Sequence, residues 1–267
     1  MGARPISLHP PMTAPLTLLL LALAALAAGF IDALVGGGGL ITMPALLLGM
    51  PGAPLPVVLG NNKVQAGTGT TVAAWKFLRS GALTWRDAVG PVLAAMAGAV
   101  AGARLAYHIG TAWMRPLMLV LMGGMLLWTL LKPELGAVHA PKYGQAHQRG
   151  LSILIALALG LYDGFFGPGT GSLLIFLFVA VLGFDFLRAS ALAKAVNWAS
   201  NMAALAVFLG RGSWTPTVGL AMAAGNGVGG WLGAHVALKK GSGWVRGFFV
   251  LVVSALLVRL AWQVLHP

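Results

Sequence analysis

The stretch Gly29-Phe30-Ile31-Asp32-Ala33-Leu34-Val35-Gly36-Gly37-Gly38-Gly39 carries an apolar run into a lone aspartate and then into four consecutive glycines. A second copy of the pattern, Gly160-Leu161-Tyr162-Asp163-Gly164-Phe165-Phe166-Gly167-Pro168-Gly169-Thr170, lies 131 residues further along, and another apolar run follows each copy. Each glycine in a helix interior costs about 1 kcal/mol, so four in succession favour a break in the helix over a packing contact. The repeated pattern predicts helices that are interrupted inside a membrane.

The composition indicates a polytopic membrane protein. Of the 267 residues, 58% are apolar and 8% are charged, which is too little charge to cover a soluble domain of this size. Apolar segments of about 18 residues or more, the length that crosses a hydrocarbon core of about 30 Å, recur along the chain. The 17 basic residues are scattered singly between these segments, so they indicate membrane topology and not a nucleic-acid partner. The absence of Cys excludes disulfides and thiolate metal sites.

The two copies belong to a long internal repeat. At the fixed offset of 131, residues 29–115 match residues 160–246 at 19 of 87 positions, where composition alone predicts about 8. The matches include scarce residue types, namely Asp32 with Asp163, Lys63 with Lys194, Phe77 with Phe208, Trp113 with Trp244 and Arg115 with Arg246. We therefore predict an all-α chain with a first membrane repeat at 1–131, a polar linker at 132–149 and a second membrane repeat at 150–267.

Apolar segments predict the individual spans. The expected spans are 15–35, 64–78, 88–109 and 114–131 in the first half, and 151–166, 172–184, 189–209, 218–238 and 245–265 in the second. Residues 40–59 are also apolar, but they carry Pro44, Pro51, Pro54 and Pro56. This segment is therefore expected to be a broken span or a re-entrant hairpin, and the same choice is open for residues 171–188.

The number of spans in each half decides the topology. Five spans in each half make the two halves an inverted repeat, whereas four make them parallel. With five spans, ten basic residues lie on one side and five on the other, whereas four spans divide them nine to six. The positive-inside rule thus favours five plus five, with both termini outside the cytoplasm.

The helix restarts predict an anion site. The first N–H groups of a restarted helix are unpaired and carry partial positive charge, so they bind anions. Lys63 and Lys194 follow the broken segments at equivalent positions in apolar surroundings, where an ionised side chain is costly unless it is paired. Each lysine either binds the substrate or extends toward the membrane interface, and Lys63 is expected close to a loop.

Asp32 and Asp163 are two of the five acidic residues, and both lie at the ends of apolar segments. A carboxyl group in that position is either protonated or paired with a cation, so either aspartate is a candidate for proton coupling. The alternative is structural, with each aspartate capping the restarted helix or pairing with the lysine of its own repeat. Polar amides within the apolar segments either bind substrate or join helices; they are Asn61, Asn62, Gln65, Asn197, Asn201 and Asn226.

Other functional classes fit the sequence less well. An intramembrane enzyme needs a nucleophile with a base or a metal-binding motif, and no two of the six histidines are paired at helical spacing. A cation site needs carboxylates, carbonyls or imidazoles, whereas the lysines would repel a cation. A passive channel needs a continuous polar pore, and a scaffold has no use for matched intramembrane charges. The sequence therefore favours a transporter that is not an enzyme and binds no cofactor.

The repeated motifs resemble a known family. Residues 29–44, followed by Asn61-Asn62-Lys63, resemble the first half of the TauE/SafE sulfite exporter family. The second copy, residues 160–172 with Lys194 and Asn197 downstream, is similar to a subgroup of bacterial inner-membrane transporters of uncharacterised substrate. The resemblance covers nearly the whole chain. It implies a multi-pass inner-membrane exporter of small sulfur-containing anions, such as sulfite or sulfoacetate, driven by an ion gradient.

Taken together, these arguments predict a secondary transporter that works by alternating access. The expected substrate-binding residues combine both glycine breaks, the lysines and neighbouring amides: Gly36, Gly37, Gly38, Gly39, Lys63, Asn61, Asn62, Gly167, Gly169, Thr170, Gly171, Lys194, Asn197 and Asn201. The expected partners are a small anion and the lipid bilayer, while a coupling proton and a homodimer are left open. Transport of another small anion, such as a carboxylate, and a non-coupled anion channel are the alternatives.

Overall fold

The computed structural model describes residues 15–81, 83–108 and 140–265, and its regular elements in these ranges are all α-helices, as predicted. The helices in these residues are α1 (Pro15–Val35), α2 (Gly39–Gly49), α3 (Leu55–Arg79), α4 (Trp85–Leu105), α5 (Gln145–Phe165), α6 (Thr170–Ala180), α7 (Phe186–Gly210) and α8 (Pro216–Leu265). Three of them, α1, α4 and α7, are long and apolar enough to cross a membrane, and α2 and α6 are shorter apolar helices. The prediction of an α-helical membrane protein is therefore confirmed.

The helix boundaries repeat with the offset of the sequence. Helices α6 and α7 begin and end 131 residues after α2 and α3, and α8 begins 131 residues after α4. Helices α1 and α5 both have 21 residues and both end at a glycine break. Each of α1 to α4 thus has an equivalent helix among α5 to α8.

Helix α3 differs from the predicted third span because it begins at Leu55 and not near Val64. Pro54 is its N-cap and Pro56 lies in its first turn, where a backbone N–H has no helical partner in any case. These prolines therefore start a helix, although the sequence analysis expected them to break one. As a result, Lys63 lies in the helix interior and not close to a loop.

Two further boundaries were predicted wrongly. Helix α5 begins at Gln145, inside the stretch assigned to the linker, and α8 continues through residues 239–244, where a loop was expected. Pro216 is the last proline before Leu265, so no proline ends α8 within this range. The predicted span at 114–131 and residues 132–139 of the linker lie outside the described residues.

Helix α2 folds back along α1. A Cβ atom on Gly38 would lie 2.7 Å from the Ala28 carbonyl oxygen, and one on Gly49 would lie 3.0 Å from Leu21. Because α2 has 11 residues, it is about 16 Å long, roughly half of a hydrocarbon core. The proline-rich segment thus returns alongside the first helix as a short apolar arm.

The two halves are packed into each other. Helix α1 packs on α8 and α4 packs on α5, so the first helix of each half contacts the fourth helix of the other half. Glycines make these contacts close: Cβ atoms on Gly225, Gly229 and Gly233 would lie 2.0 to 2.3 Å from the carbonyl oxygens of Ala22, Leu26 and Phe30. Gly98 and Gly102 lie equally close to the Leu157 and Leu161 carbonyl oxygens. These glycines are therefore helix-packing residues, as their four-residue spacing predicts.

The order of the contacts gives the direction of each helix. Contacts advance together along α1 and α8 and along α4 and α5, so each of these pairs runs in one direction. The start of α3 lies by the start of α8, where the Thr215 N–H donates to Asn61, and Lys76 near the end of α3 donates to the Trp231 carbonyl. Helix α8 therefore runs in the same direction as α3.

Helices α3 and α7 run in opposite directions at the centre of the molecule. Gly67 lies against Met202, whereas Thr71, further along α3, accepts a hydrogen bond from Trp198, which is earlier in α7. Helix α7 is also the most enclosed of the three long apolar helices, since 67% of its most apolar 18-residue stretch is buried, compared with 39% for α1 and α4. Its interior carries charged and polar side chains that form the candidate site.

We expect Gly229→Ala to lower the free energy of unfolding by about 1 to 3 kcal/mol, because its methyl group would press on the Leu26 carbonyl oxygen. Gly247→Ala is the matched control on α8, because a Cβ atom there meets nothing within 4 Å. It should be neutral or stabilising. Thermal unfolding of the purified protein in detergent measures both changes, and equal midpoints for the two variants would contradict this packing.

Candidate functional site

Glycines at equivalent positions end the first helix of each half. Gly36 follows α1 with φ +82°, and Gly167 follows α5 by two residues with φ +100°. Both values lie in the left-handed region that favours glycine. The restarts differ, because Gly169 before α6 is also left-handed (φ +82°), whereas Gly38 before α2 has the right-handed helical conformation.

The two glycine breaks contact each other. The Ser172 N–H donates to the Gly36 carbonyl at 3.1 Å, and the Ser172 hydroxyl donates to the Val35 carbonyl at 2.7 Å. A Cβ atom on Gly36 would lie only 2.1 Å from the Gly171 carbonyl carbon. The N-terminus of α6 therefore binds the last carbonyls of α1, and the close approach requires glycine on both sides.

Lys63 and Asp163 form a buried ion pair beside this contact. The Lys63 Nζ lies 2.9 Å from the Asp163 Oδ2, and the two side chains are 1% and 2% exposed. The Ser200 hydroxyl donates to the same carboxylate oxygen at 2.7 Å. A Cβ atom on Gly167 would lie 2.8 Å from the Lys63 Nζ, so this glycine leaves room for the ammonium group. The pairing offsets the cost of burying each charge.

Lys194 and Asp32 form the second ion pair. The Lys194 Nζ lies 3.5 Å from the Asp32 Oδ2 and also donates to the Asp32 backbone carbonyl. The lysine is fully buried, whereas the Asp32 side chain is 16% exposed. The other carboxylate oxygen of Asp32 accepts the Gly38 N–H at 3.3 Å, at the restart of α2. Asp32 therefore both pairs with a cation and binds the start of the second helix.

The ion pairs join the two halves. Lys63 of the first half binds Asp163 of the second, and Lys194 of the second half binds Asp32 of the first. Pairing within one repeat, which the sequence analysis considered, is therefore wrong. The alternative that the lysines extend toward the membrane interface is also wrong. Both lie in the middle of a helix, and their side chains are buried and paired with aspartates.

A buried polar cluster adjoins the first break. The Thr42 hydroxyl donates to the Asn62 Oδ1 at 2.7 Å, and the Gln65 amide donates to the same oxygen at 2.9 Å and to Thr42 at 3.1 Å. The Asn226 amide donates in turn to the Gln65 Oε1. We call these four residues the amide cluster. It connects α2, α3 and α8.

The remaining predicted site residues make structural contacts. Asn61 donates to the Val57 carbonyl and accepts the Thr215 N–H, so it ties the start of α8 to α3. Asn201 donates to Asn197 within α7 at 2.7 and 3.1 Å. Asn61 thus contacts the connection between α7 and α8, and the Asn201 amide donates within its own helix.

The sequence analysis missed three hydroxyl residues that contact a glycine break, an ion pair or the amide cluster. Thr42, Ser172 and Ser200 are single hydroxyl residues inside apolar helices, and all three are buried. Thr170, which was predicted, donates to the Gly167 carbonyl and so closes the turn before α6. The only signal for the missed hydroxyls is their position one or two turns from a predicted aspartate, lysine or glycine. Small hydroxyl residues are too common in membrane helices for that signal to select them.

Comparison with known proteins identifies the family of the chain. Residues 21–260 match the family model described as Sulfite exporter TauE/SafE. The chain is 37% identical over 248 residues to "Probable membrane transporter protein ORF9" of a Sinorhizobium species, covering 91% of this chain and 92% of the relative.

Two other relatives carry similar names. A "Probable membrane transporter protein" of Haemophilus influenzae is 37% identical over 236 residues, covering 88% of this chain and 91% of the relative. "Probable membrane transporter protein YfcA" of Escherichia coli is 32% identical over 253 residues, covering 94% and 92%. No solved structure matches the chain. The match over residues 21–260 shows that the chain belongs to the TauE/SafE sulfite exporter family of membrane transporters.

Proposed function

We propose that the protein is a secondary transporter that exports small sulfur-containing anions of the sulfite or sulfonate type by alternating access. The observation that carries this proposal is the pair of buried lysines at the contact between two glycine breaks. A buried ammonium group needs a negative partner, and at present an aspartate supplies it. An anion that replaces that aspartate would keep the charge balanced. The sulfur-containing substrate class rests on the family description.

The directions of the described helices support an inverted repeat, and the predicted fourth and fifth spans of the second half lie in one continuous helix, α8. Helices α1, α3 and α8 run in one direction, whereas α4, α5 and α7 run in the other. The salt bridge between Asp87 and Arg188 at the starts of α4 and α7 and the ring contact between Tyr107 and Phe208 at their ends align those two helices. The long helices α1, α3 and α4 therefore run opposite to their counterparts α5, α7 and α8. In such repeats the binding site lies where the broken segments meet.

The ion pairs also suggest how a proton is coupled to transport. Protonation of Asp32 or Asp163 would release its lysine, which could then bind the substrate anion without adding net charge. Deprotonation on the other side of the membrane would restore the ion pair and expel the anion, so the proton and the anion cross together and export follows the outward gradient of the anion. The groups around Asp32 that take part are the Lys194 ammonium and the Gly38 N–H. The chain in this account functions in the bacterial inner membrane, with a lipid bilayer and a small anion as partners.

Cysteine labelling tests the topology. The native chain has no Cys, so single Arg86→Cys, Arg211→Cys and Lys240→Cys variants need no background changes. We expect Arg86→Cys and Lys240→Cys to react from one face of the membrane and Arg211→Cys from the other, because inversion places the α3–α4 and α7–α8 connections on opposite faces. Labelling of Arg86→Cys and Arg211→Cys from the same face would contradict the inverted repeat.

Anion binding tests the substrate class. Purified protein should be stabilised against heat by sulfite or sulfoacetate in a saturable way, since a ligand that binds only the folded state raises the unfolding midpoint. Acetate at the same ionic strength is the comparison for a carboxylate substrate, and sulfate controls for a fully oxidised anion. Stabilisation by acetate alone would replace the sulfur-anion proposal with the carboxylate alternative.

Asp32→Asn tests coupling. Asparagine keeps the shape of the side chain but does not titrate, so the variant should bind sulfite yet lose accumulation driven by a pH gradient in proteoliposomes. Expression level and the unfolding midpoint serve as controls for folding. Gradient-driven transport at the unaltered rate would show that Asp32 does not carry the proton. Sulfite flux in the parent protein that does not depend on the pH gradient would support the uncoupled channel.

A further inference from the structure

The two ion pairs occupy equivalent positions but differ in structure. Lys63 and Asp163 are 2.9 Å apart, and both are sealed from solvent. Lys194 and the Asp32 carboxylate are 3.5 Å apart, and Asp32 is 16% exposed. In addition, the Ser200 hydroxyl donates to the Asp163 oxygen that binds Lys63. The first pair is therefore short and enclosed, whereas the second is longer and accessible.

The surroundings of the two pairs differ in the same sense. The four residues of the amide cluster correspond, at the offset of 131, to apolar residues of the other half. These counterparts are Leu173 for Thr42, Ala193 for Asn62, Val196 for Gln65 and Ala95 for Asn226. The amide cluster therefore has no polar counterpart at the equivalent positions. The charged residues are the same in both repeats, but these four positions differ. The two ion pairs therefore lie in chemically different surroundings.

Hydrogen bonds connect the amide cluster to Asp32. The Thr42 hydroxyl lies 3.4 Å from the Gly38 carbonyl, and the Gly38 N–H donates to the Asp32 Oδ1 at 3.3 Å. The cluster therefore begins one helical turn from the residue that binds Asp32. This short connection places the amides and the accessible ion pair in one continuous polar region.

The amide cluster also has an unused donor. Asn62 is 2% exposed, and its Oδ1 accepts from both Thr42 and Gln65, yet its amide nitrogen makes no hydrogen bond within the described residues. This nitrogen is not among the fully enclosed polar atoms without a partner in the described residues, so it keeps a small accessible surface from which a ligand oxygen could accept a hydrogen bond. An amide donor that Thr42 and Gly38 link to the Lys194–Asp32 pair suits an oxyanion.

From these observations we propose that the substrate anion binds at Lys194, next to the amide cluster, and that Lys63 and Asp163 form a permanent tie between the halves. This assignment rests on the proposed function. One oxygen of the anion takes the place of the Asp32 carboxylate on Lys194, and another accepts from the Asn62 amide. Asp163 stays in place because two buried donors, Lys63 and Ser200, hold it.

The proposal assigns different roles to residues that the repeat makes equivalent. Lys194 and Asn62 determine affinity and favour oxyanions over halides, because an anion without a second oxygen leaves the Asn62 donor unsatisfied. Sulfite and sulfonate groups both offer that second oxygen. Lys63 contributes to the stability of the bundle and not to affinity.

Calorimetric titration of full-length protein in detergent with sulfite, and separately with sulfoacetate, tests this assignment. Lys194→Met should weaken binding about tenfold to a hundredfold, the effect of losing a hydrogen bond to a charged group. Asn62→Ala should weaken it about three- to tenfold and serves if Lys194→Met does not fold. Ser200→Ala is the control at the other ion pair, because it removes one hydrogen bond to Asp163. The dissociation constant of this variant for sulfite should stay within about twofold of the parent value.

The outcomes separate this proposal from the proposed function. If the parent protein binds neither sulfite nor sulfoacetate, the sulfur-anion function fails and the assignment fails with it. If the parent protein binds but Ser200→Ala weakens binding as much as Asn62→Ala, the transporter proposal stands and the assignment to the first-half side is wrong. Unchanged binding by Lys194→Met would also overturn the assignment.

Discussion

The arrangement of the whole bundle depends on two buried lysines that need negative partners. An unpaired ammonium group in a membrane interior costs several kcal/mol, and the described membrane helices offer few acids to offset that cost. Lys63 and Lys194 therefore bind Asp163 and Asp32, each from the opposite half. Because the aspartates precede the glycine breaks and the lysines lie in the helices that follow, these two bonds hold both breaks at the centre of the molecule.

The same constraint explains the glycines. Two helix breaks can lie in direct contact only where side chains are absent, and Gly36 and Gly171 approach so closely that a Cβ atom on Gly36 would overlap the Gly171 backbone. The glycines of α8 and α4 then allow α1 and α5 to pack against the opposite half. Each half pairs the charges of the other and packs most of its first helix against the other, so the two halves depend on each other. A change at one lysine is therefore transmitted to the contact between the halves.

Much of this could be predicted from the sequence because the decisive features are local. Four consecutive glycines mark a break, and a repeated aspartate and lysine mark buried charges whatever the tertiary fold. The partner of each lysine could not be predicted, because exchange between halves depends on how the repeats pack and not on spacing along the chain. The start of α3 was missed because Pro54 and Pro56 have opposite meanings in a helix interior and in a first turn. Asn61 and Asn62 were indistinguishable in sequence, yet one caps a neighbouring helix and the other enters the amide cluster.

The exchange of ion pairs between halves is tested most directly by a double-mutant cycle on unfolding in detergent. Lys63→Met and Asp163→Asn should each destabilise the protein by about 3 to 5 kcal/mol, because each leaves a buried charge unpaired. The double variant Lys63→Met/Asp163→Asn should lose less unfolding free energy than the sum of its two single variants, by at least about 2 kcal/mol. The loss in Lys63→Met/Asp32→Asn should equal the sum of its single losses, with no such recovery. Recovery by the Asp32 change and not by the Asp163 change would show that each lysine pairs within its own half and would contradict this account.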